Sequence, residues 1–136
     1  MSVAVFDASV ALKWLVTDDT LAPAALAARN VWQPVAPKFI QIEVANALWK
    51  YVRAGQVGLD EAVEGAAILA DVMDLIADES LLGPAQRLAT RLTHPVYDCL
   101  YLSLALRLSC PLITADRRLA ERGAELGLAV EAITAA

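Results

Sequence analysis

Two kinds of hydrophobic spacing alternate along this 136-residue chain. Short apolar runs such as residues 3–6 are typical of buried strands, whereas apolar residues in segment 39–54 recur every three or four positions, as along one face of a helix. The pattern predicts strands at 3–6, 33–37, 75–77, 112–114 and 128–130. It predicts helices at 8–16, 21–31, 39–54, 59–72, 84–92, 96–108 and 116–126.

Strands that alternate with helices in this way favour a parallel sheet covered by helices on both faces. We therefore expect an α/β fold: a three-layer α/β/α domain around a central parallel sheet of four or five strands. Residues 1–136 contain no internal repeat, low-complexity tract or interdomain linker. A chain of this length is expected to form one domain with a single core.

The composition indicates where in the cell the protein resides and that it contacts another protein. Apolar residues make up 58% of the chain, yet no run approaches the roughly 20 residues of a membrane span, and no signal peptide is recognisable. Cys99 and Cys110 lie in apolar segments without the spacing of a metal site or disulfide framework, so we expect reduced thiols in a cytoplasmic protein. The surplus apolar surface is expected to contact another protein.

Large apolar side chains that could form such a contact are concentrated in the first third of the chain. They are Trp14, Leu15, Trp32, Phe39 and Trp49. Because aromatic side chains are enriched at interfaces, we expect some of these residues to support a homodimer while the others fill the core.

Acidic residues dominate the charge balance, since 16 Asp and Glu oppose 11 Lys and Arg for a formal net charge of −5. An acidic chain is a poor candidate for nucleic-acid binding on charge alone. That objection weakens where several acids cluster around divalent cations, because the cations reverse the local field.

Four acids fall at special places in the predicted fold. Asp7 and Asp116 follow predicted strands, so both are expected at the carboxyl edge of the sheet, where open α/β sheets bind ligands. Glu43 and Asp98 lie in the first turns of predicted helices, within otherwise apolar segments. An ionised carboxylate beside a core needs a hydrogen bond, an ion pair or a metal.

Each acid alone also has an ordinary explanation. Asp7 and Asp116 are suited to cap the helices that follow them, and Asp98 is favourable at a helix N-terminus. Glu43 is explained equally well as a solvated residue on a helix flank. If all four ordinary explanations held, four unrelated acids would lie at one edge of one sheet by coincidence. We therefore favour a shared carboxylate site.

Carboxylates without His or Cys ligands select hard cations such as Mg²⁺ or Mn²⁺ over zinc. The single histidine, His94, precedes Pro95 in a predicted loop, and we expect a surface or turn role for it. With one or two cations, the acids are suited to metal-assisted phosphodiester hydrolysis. A receiver or phosphatase with Asp7 as nucleophile is disfavoured, because the sequence FDAS lacks the adjacent acid pair that a receiver needs.

The chain resembles the PIN-domain family, and in particular the toxin nucleases of VapBC-type toxin–antitoxin pairs. The resemblance covers almost the whole chain and rests on four motifs in order: VFDASVALKWL, EVANAL, YDCLYLSLAL and LITADRRL. It implies an Mg²⁺- or Mn²⁺-dependent ribonuclease whose metal site is formed by Asp7, Glu43, Asp98 and Asp116. Asp7 and Asp98 are then the foremost direct ligands, and the implied products carry a 5′-phosphate and a 3′-hydroxyl. One departure is Cys99, where Ala is more usual.

The resemblance also implies supporting roles for Ser9, Asn46 and Thr114, although local capping explains Ser9 and Thr114 equally well. The nearest candidates for contacts to RNA phosphates are Lys13, Lys50, Arg117 and Arg118, and a solvated helix face is an equal alternative for each.

The implied function is a cytoplasmic endoribonuclease toxin, bound by a small antitoxin in an apolar groove between the early helices. The alternative is a catalytically silent RNA- or protein-binding module of the same fold.

Overall fold

A five-stranded parallel sheet forms the centre of the computed structural model, which describes residues 1–17 and 19–134. Its strands are β1 (Val3–Phe6), β2 (Gln33–Pro37), β3 (Asp74–Ile76), β4 (Leu112–Thr114) and β5 (Val130–Ala132). They lie in the order β3-β2-β1-β4-β5, and every neighbouring pair is parallel. The expected α/β fold with a central parallel sheet is confirmed.

Helices connect the strands and cover the sheet. They are α1 (Ala8–Leu15), α2 (Ala22–Val31), α3 (Ile40–Arg53), α4 (Leu59–Val72), α5 (Leu82–Leu92), α6 (Val96–Leu108) and α7 (Arg117–Glu125). A short 3₁₀ helix at Asp78–Ser80 was not predicted. Among the described helices, none has both the length and the apolar character needed to cross a membrane.

Strands β1 and β4 and helix α6 form the middle of the core. Val5, Phe6, Leu112 and Ile113 have no exposed surface. Residues 99–105 of α6 are all buried, which explains why this helix is apolar on every side rather than amphipathic. The free thiols of Cys99 and Cys110 are buried as well.

Two strand predictions were displaced, and local turns explain both. The last strand begins at Val130 rather than residue 128, because the Leu128 N–H donates to the Gly123 carbonyl at 3.1 Å and Gly127 has a φ of 79°. These residues therefore still complete the C-terminal turn of α7. The third strand begins and ends one residue earlier than predicted, because Ala77 leads into the 3₁₀ helix.

The predicted helix at 84–92 was too short at its N-terminus. α5 begins at Leu82, so Pro84 lies in the first turn, where a missing backbone N–H breaks no helical hydrogen bond.

The large aromatic residues divide between core and surface. Trp14 is only 8% exposed and its indole N–H donates to the Ala25 carbonyl at 2.9 Å, so it belongs to the core. Trp49 is 52% exposed, with the Arg53 guanidinium 4.8 Å above its ring. Of these two tryptophans, only Trp49 is available to a partner.

Candidate metal centre

Asp7 and Asp116 lie at the same edge of the sheet because the strands that precede them are neighbours. β1 and β4 are paired with Phe6 opposite Ile113, so Asp7 and the turn after Thr114 leave the sheet side by side. Glu43 is in the first turn of α3, and Asp98 is in the first turn of α6. The fold thus brings four segments, far apart in sequence, to the carboxyl edge of the sheet.

Two hydroxyl groups join the ends of β1 and β4. Ser9 Oγ donates to Asp7 Oδ1 at 2.6 Å and accepts from the Ala115 N–H at 2.9 Å. Thr114 Oγ1 lies 3.4 Å from Ser9 Oγ and accepts from the Asp116 N–H at 2.9 Å. This network fixes the positions of both acids relative to each other.

The predicted capping role is therefore wrong for Ser9, which lies inside α1 and binds the Asp7 side chain. Asp7 occupies the N-cap position of α1, but its side chain makes no capping hydrogen bond. Asp116 does cap α7, since its Oδ1 accepts from the N–H groups of Arg118 at 2.9 Å and Leu119 at 3.3 Å. Capping thus accounts for one oxygen of Asp116 and for neither oxygen of Asp7.

Glu43 is held by a tyrosine that the sequence reading did not select. Tyr101 Oη donates to Glu43 Oε1 at 2.5 Å, and the tyrosine is almost completely buried. Tyr101 follows Asp98 by three positions on α6, which places both on one face of the helix. The separation of three residues between Asp98 and Tyr101 in YDCLY was the sequence signal that could have pointed to Tyr101.

His94 was expected to have a surface or turn role, and the surface part of this expectation is wrong. It lies in the loop before α6, as predicted, but is only 6% exposed. Its Nε2 lies 2.9 Å from Asp98 Oδ2, and the carboxylate accepts this hydrogen bond. The spacing of four residues between the two was visible in HPVYD, but it did not reveal that the loop folds inward.

The four acids share one electrostatic environment. Burial is the largest cause of the raised pKa of Asp7, which reaches about 7 from its usual 3.8. Hydrogen bonds from Ser9 and Thr114 oppose this rise, and the negative charges of Asp116 and Glu43 add to it. Asp7 therefore carries a poorly compensated charge above neutral pH.

Glu43 and Asp98, the two acids in the first turns of helices, also have raised pKa values. Burial raises the pKa of Glu43, the Tyr101 hydrogen bond opposes it, and the charges of Asp98 and Asp116 reinforce it. Burial also raises the pKa of Asp98, with His94 opposing and Asp116 reinforcing. Each of these pKa values depends on at least one other acid, so the four carboxylates form one cluster.

The side chains of the cluster are nevertheless turned toward separate protein partners. In the part of the chain that the structure describes, no three Asp, Glu, His or Cys side chains surround one point closely enough to form a metal site. The donors Ser9, Tyr101 and His94 and the first turn of α7 each hold one acid. The arrangement is thus a group of neighbouring carboxylates rather than an assembled coordination shell.

Comparison with known families shows where the domain belongs. A family model described as PIN domain matches residues 4–125. The chain belongs to the PIN-domain family. The match spans all four acids, and it confirms the resemblance inferred from the sequence motifs.

This PIN domain is similar to several characterised proteins. A protein named Ribonuclease VapC3, from Pyrobaculum aerophilum, is 37% identical over 83 residues, covering 59% of this chain and 63% of that protein. The match thus spans less than two thirds of the relative's length. The crystal structure of PAE2754 from Pyrobaculum aerophilum has a TM-score of 0.70 at 22% identity, covering 95% of this chain and 83% of that chain. A toxin–antitoxin complex from Klebsiella pneumoniae has a TM-score of 0.60 at 22% identity, with coverages of 83% and 86%. At these identities the structural likeness establishes the PIN fold alone.

The basic residues selected from the sequence differ in how close they lie to the acids of this PIN domain. Arg118 lowers the pKa of Asp98, so its charge reaches the cluster. Arg117 is 93% exposed and pairs with Glu121 on its own helix at 3.6 Å. Lys13 pairs with Asp19 at 3.3 Å. Of these three residues, Arg118 is the one whose charge shifts the pKa of an acid in the cluster.

Lys50 and Asn46 remain on the exposed side of α3. They follow Glu43 by seven and three positions, so the helix presents all three on one flank, as the sequence predicted.

Proposed function

We propose that this PIN domain is a divalent-metal-dependent endoribonuclease and the toxin of a toxin–antitoxin pair. The observation that carries the proposal is the cluster of four carboxylates at the carboxyl edge of the sheet, in which burial, reinforced by neighbouring negative charges, raises the pKa values of Asp7, Glu43 and Asp98. Membership of the family and the similarity to a protein named Ribonuclease VapC3 support the same reaction class.

The chemistry of the donors fits a hard cation. The cluster offers carboxylate oxygens, while the nearby His94 nitrogen is engaged by Asp98 and the Cys99 thiol is buried against the His94 carbonyl. Asp7, Glu43, Asp98 and Asp116 would hold Mg²⁺ or Mn²⁺. A bound ion supplies charge compensation for the acids and for the phosphate, and lowers the pKa of the attacking water.

The surrounding residues act by orienting the acids. Ser9 fixes Asp7, Tyr101 fixes Glu43, and Thr114 fixes the backbone of Asp116. Arg118, whose positive charge lowers the pKa of Asp98, would bind an RNA phosphate next to the scissile bond. Hydrolysis then adds water to the phosphorus and breaks its bond to the 3′ oxygen, which leaves a 5′-phosphate and a 3′-hydroxyl.

A cleft with a mixed lining would accommodate the antitoxin. It has a volume of about 500 Å³ and lies between the C-terminal end of α1, α3 and α4. Its apolar lining is Trp14, Leu15, Val16, Leu48, Val57 and Ile68, and its polar lining is Thr17, Gln56, Glu61 and Glu64. An apolar segment of a small antitoxin would bury these side chains, as expected for a groove between the early helices.

The test is cleavage of a mixed RNA pool with EDTA, Mg²⁺ or Mn²⁺, for the wild type and for Asp7→Asn and Asp98→Asn. We expect metal-dependent fragments from the wild type and a loss of more than 100-fold in both variants, which corresponds to about 2.7 kcal/mol of barrier. Asp71→Asn, which changes an exposed acid of α4, is the matched control and should retain activity.

Two outcomes would contradict the proposal. Cleavage that persists within tenfold in both variants excludes the catalytic assignment of the acids. Absence of cleavage in the wild type with either metal, in protein that is folded and free of antitoxin, favours the silent binding module.

A further inference from the structure

Two aromatic side chains form a partly exposed surface beside the acid cluster. The rings of Phe39 and Tyr97 lie 6.1 Å apart at an angle of 33°, within the range of stabilising aromatic pairs. Phe39 is partly exposed and Tyr97 is 52% exposed. We infer that this aromatic platform, Phe39 and Tyr97, stacks against an unpaired base of a single-stranded RNA whose neighbouring phosphate lies at the acid cluster. The inference rests on the proposed nuclease function and names the form of RNA that the cluster receives.

The platform lies one helical turn beyond the contact that holds Glu43. On α3, Phe39 precedes Glu43 by four positions, and its carbonyl accepts the Glu43 N–H at 3.1 Å. On α6, Tyr97 precedes Tyr101 by four positions, and Tyr101 Oη donates to Glu43 Oε1. The two helices therefore meet at two successive levels, one formed by the aromatic pair and the other by Glu43 and Tyr101. Four residues of an α-helix rise about 6 Å, which separates the two levels along the helices.

The direction of both helices places the platform on the outer side of the cluster. β2 ends at Pro37 and α3 begins at Ile40, so the N-terminus of α3 lies at the carboxyl edge of the sheet. α6 leads from this edge back to the start of β4, so its N-terminus lies there too. Because Phe39 and Tyr97 are nearer to these N-termini than Glu43 is, the platform lies further out from the sheet than this acid.

The two tyrosines of α6 differ in what they contact. Tyr101 is almost completely buried and its hydroxyl donates to Glu43, so it holds an acid in place. Tyr97 packs against Phe39 but keeps about half of its surface in solvent. A ring that is already fixed by a neighbour loses little further conformational entropy when a base stacks on it. Tyr97 is therefore suited to bind a flat ligand.

Positive charge adjoins both members of the platform. Lys38 precedes Phe39, is exposed, and forms no ion pair with any residue that the structure describes. Arg118 lowers the pKa of Asp98, which directly follows Tyr97. Cations that attract the phosphate backbone, next to aromatic rings that stack with bases, are the combination that binds single-stranded nucleic acids.

A duplex and a protein segment are poorer occupants of the platform. The bases of a duplex are already stacked on one another, so their faces are not available to a side chain. The cleft proposed for the antitoxin is formed by other residues, and neither Phe39 nor Tyr97 lines it. The platform adjoins the acids instead, so its occupant is expected to be the substrate of those acids.

The first test separates substrate binding from the chemical step, with a single-stranded oligoribonucleotide that contains a cleavage site mapped in the RNA pool. Tyr97→Leu keeps an apolar side chain against Phe39 and removes the aromatic face. At saturating Mg²⁺ we expect it to raise KM about tenfold or more and to leave kcat within about threefold. Tyr97→Phe should keep KM within about twofold of the wild type, because its ring is retained.

Two further measurements distinguish stacking from a structural effect. An abasic site on one side of the scissile phosphate should raise the KM of the wild type about as much as Tyr97→Leu does, and should not raise the KM of that variant further. The Mg²⁺ concentration for half-maximal cleavage should be unchanged in Tyr97→Leu, because Glu43 and Asp98 keep their donors. Trp49→Leu is the matched control, since Trp49 is also 52% exposed but lies six positions beyond Glu43 on α3. It should have the KM and kcat of the wild type.

A photochemical measurement does not require cleavage. The same oligoribonucleotide with 5-iodouridine beside the scissile phosphate should cross-link to Tyr97 on irradiation, both in the wild type and in Asp7→Asn. Mass spectrometry of the linked peptide identifies the residue. The same strand in a duplex should give no cross-link, because its bases are not free to stack on the platform.

The outcomes separate this inference from the nuclease proposal. Cleavage by the wild type with an unchanged KM in Tyr97→Leu would overturn the inference, leave the platform to a protein contact and keep the nuclease function. A cross-link to Tyr97 without cleavage would overturn the nuclease function and support the stacking role. An equal rise of KM in Trp49→Leu, or equal cross-linking of the duplex, would also overturn the inference.

Discussion

At the scale of single residues, Glu43 and Asp98 are each held by a donor that lies outside the helix that carries the acid. Glu43 on α3 is held by Tyr101 on α6, and Asp98 is held by His94 from the preceding loop. Such donors fix the direction in which a carboxylate oxygen points. They are expected to influence metal affinity more than the chemical step, because they do not touch the reacting phosphate.

We therefore predict that His94→Leu raises the Mg²⁺ concentration needed for half-maximal cleavage by about 10–100-fold. The rate at saturating Mg²⁺ should stay within tenfold of the wild type, because Asp98 is retained. His94→Gln, whose amide N–H is able to donate to Asp98, should recover most of the Mg²⁺ affinity. A titration of cleavage rate against Mg²⁺ measures both quantities.

An unchanged Mg²⁺ requirement in His94→Leu would show that this hydrogen bond does not orient a metal ligand. Melting curves of both variants with EDTA provide the control for a general loss of stability.

At the scale of elements, the packing of α7 against the sheet decides where Asp116 lies. A Cβ atom at Gly123 would stand 2.9 Å from Val130 Cγ2 and 3.2 Å from Leu112 Cδ2. These atoms belong to short, branched side chains of β5 and β4, which have little room to move. Gly123 therefore permits the close approach of α7 to both strands.

We predict that Gly123→Ala lowers the free energy of unfolding by about 1 kcal/mol, because overpacking costs about 1–3 kcal/mol and exceeds the helix-propensity gain of roughly 1 kcal/mol. Gly65→Ala in α4 is the control, since its nearest neighbours lie at an ordinary 3.4 Å and 3.5 Å. It should raise the free energy of unfolding by about 0.5–1 kcal/mol. Urea unfolding measures both changes. Equal effects of the two substitutions would contradict the packing argument.

At the scale of the whole molecule, the acid cluster links stability to pH and to metal. Asp7 has a pKa of about 7 in the folded chain against its usual 3.8, so folding favours its protonated form. That contribution is complete below pH 3.8 and is lost as the pH rises through about 7. The pKa of the partly exposed Asp19 is lowered by the Leu21 N–H, so its contribution is lost only at more acidic pH.

We predict that the melting temperature in EDTA falls as the pH is raised from 5 to 8. At pH 7.5, Mg²⁺ or Mn²⁺ at about 100 times its dissociation constant should add roughly 2.7 kcal/mol and raise the melting temperature by several degrees. Asp7→Asn should flatten the pH dependence, because the titrating group is gone. Thermal unfolding followed by circular dichroism tests these expectations.

Melting temperatures that fall on acidification and do not respond to metal would instead support separate helix caps. Isolated caps on exposed helix ends lose stability on acidification and do not respond to millimolar Mg²⁺.

The amino-acid sequence by itself determined the order of the elements and the acids that end the strands. Apolar runs and helical spacing depend on neighbouring residues, so they predicted the five strands and seven helices of the described chain, and no end is displaced by more than two residues. Asp7 and Asp116 were placed at one edge of the sheet because the polarity of parallel strands follows from their alternation with helices.

The tertiary structure alone decided which groups hold these acids. Tyr101 meets Glu43 across 58 positions, and Ser9 meets Ala115 across 106 positions, so no local pattern records either contact. Burial of His94 likewise depends on the packing of the loop before α6 and not on its own polarity. Hydrophobic spacing specifies which face of an element is buried, whereas the partner of a buried polar group is specified only when distant segments come together.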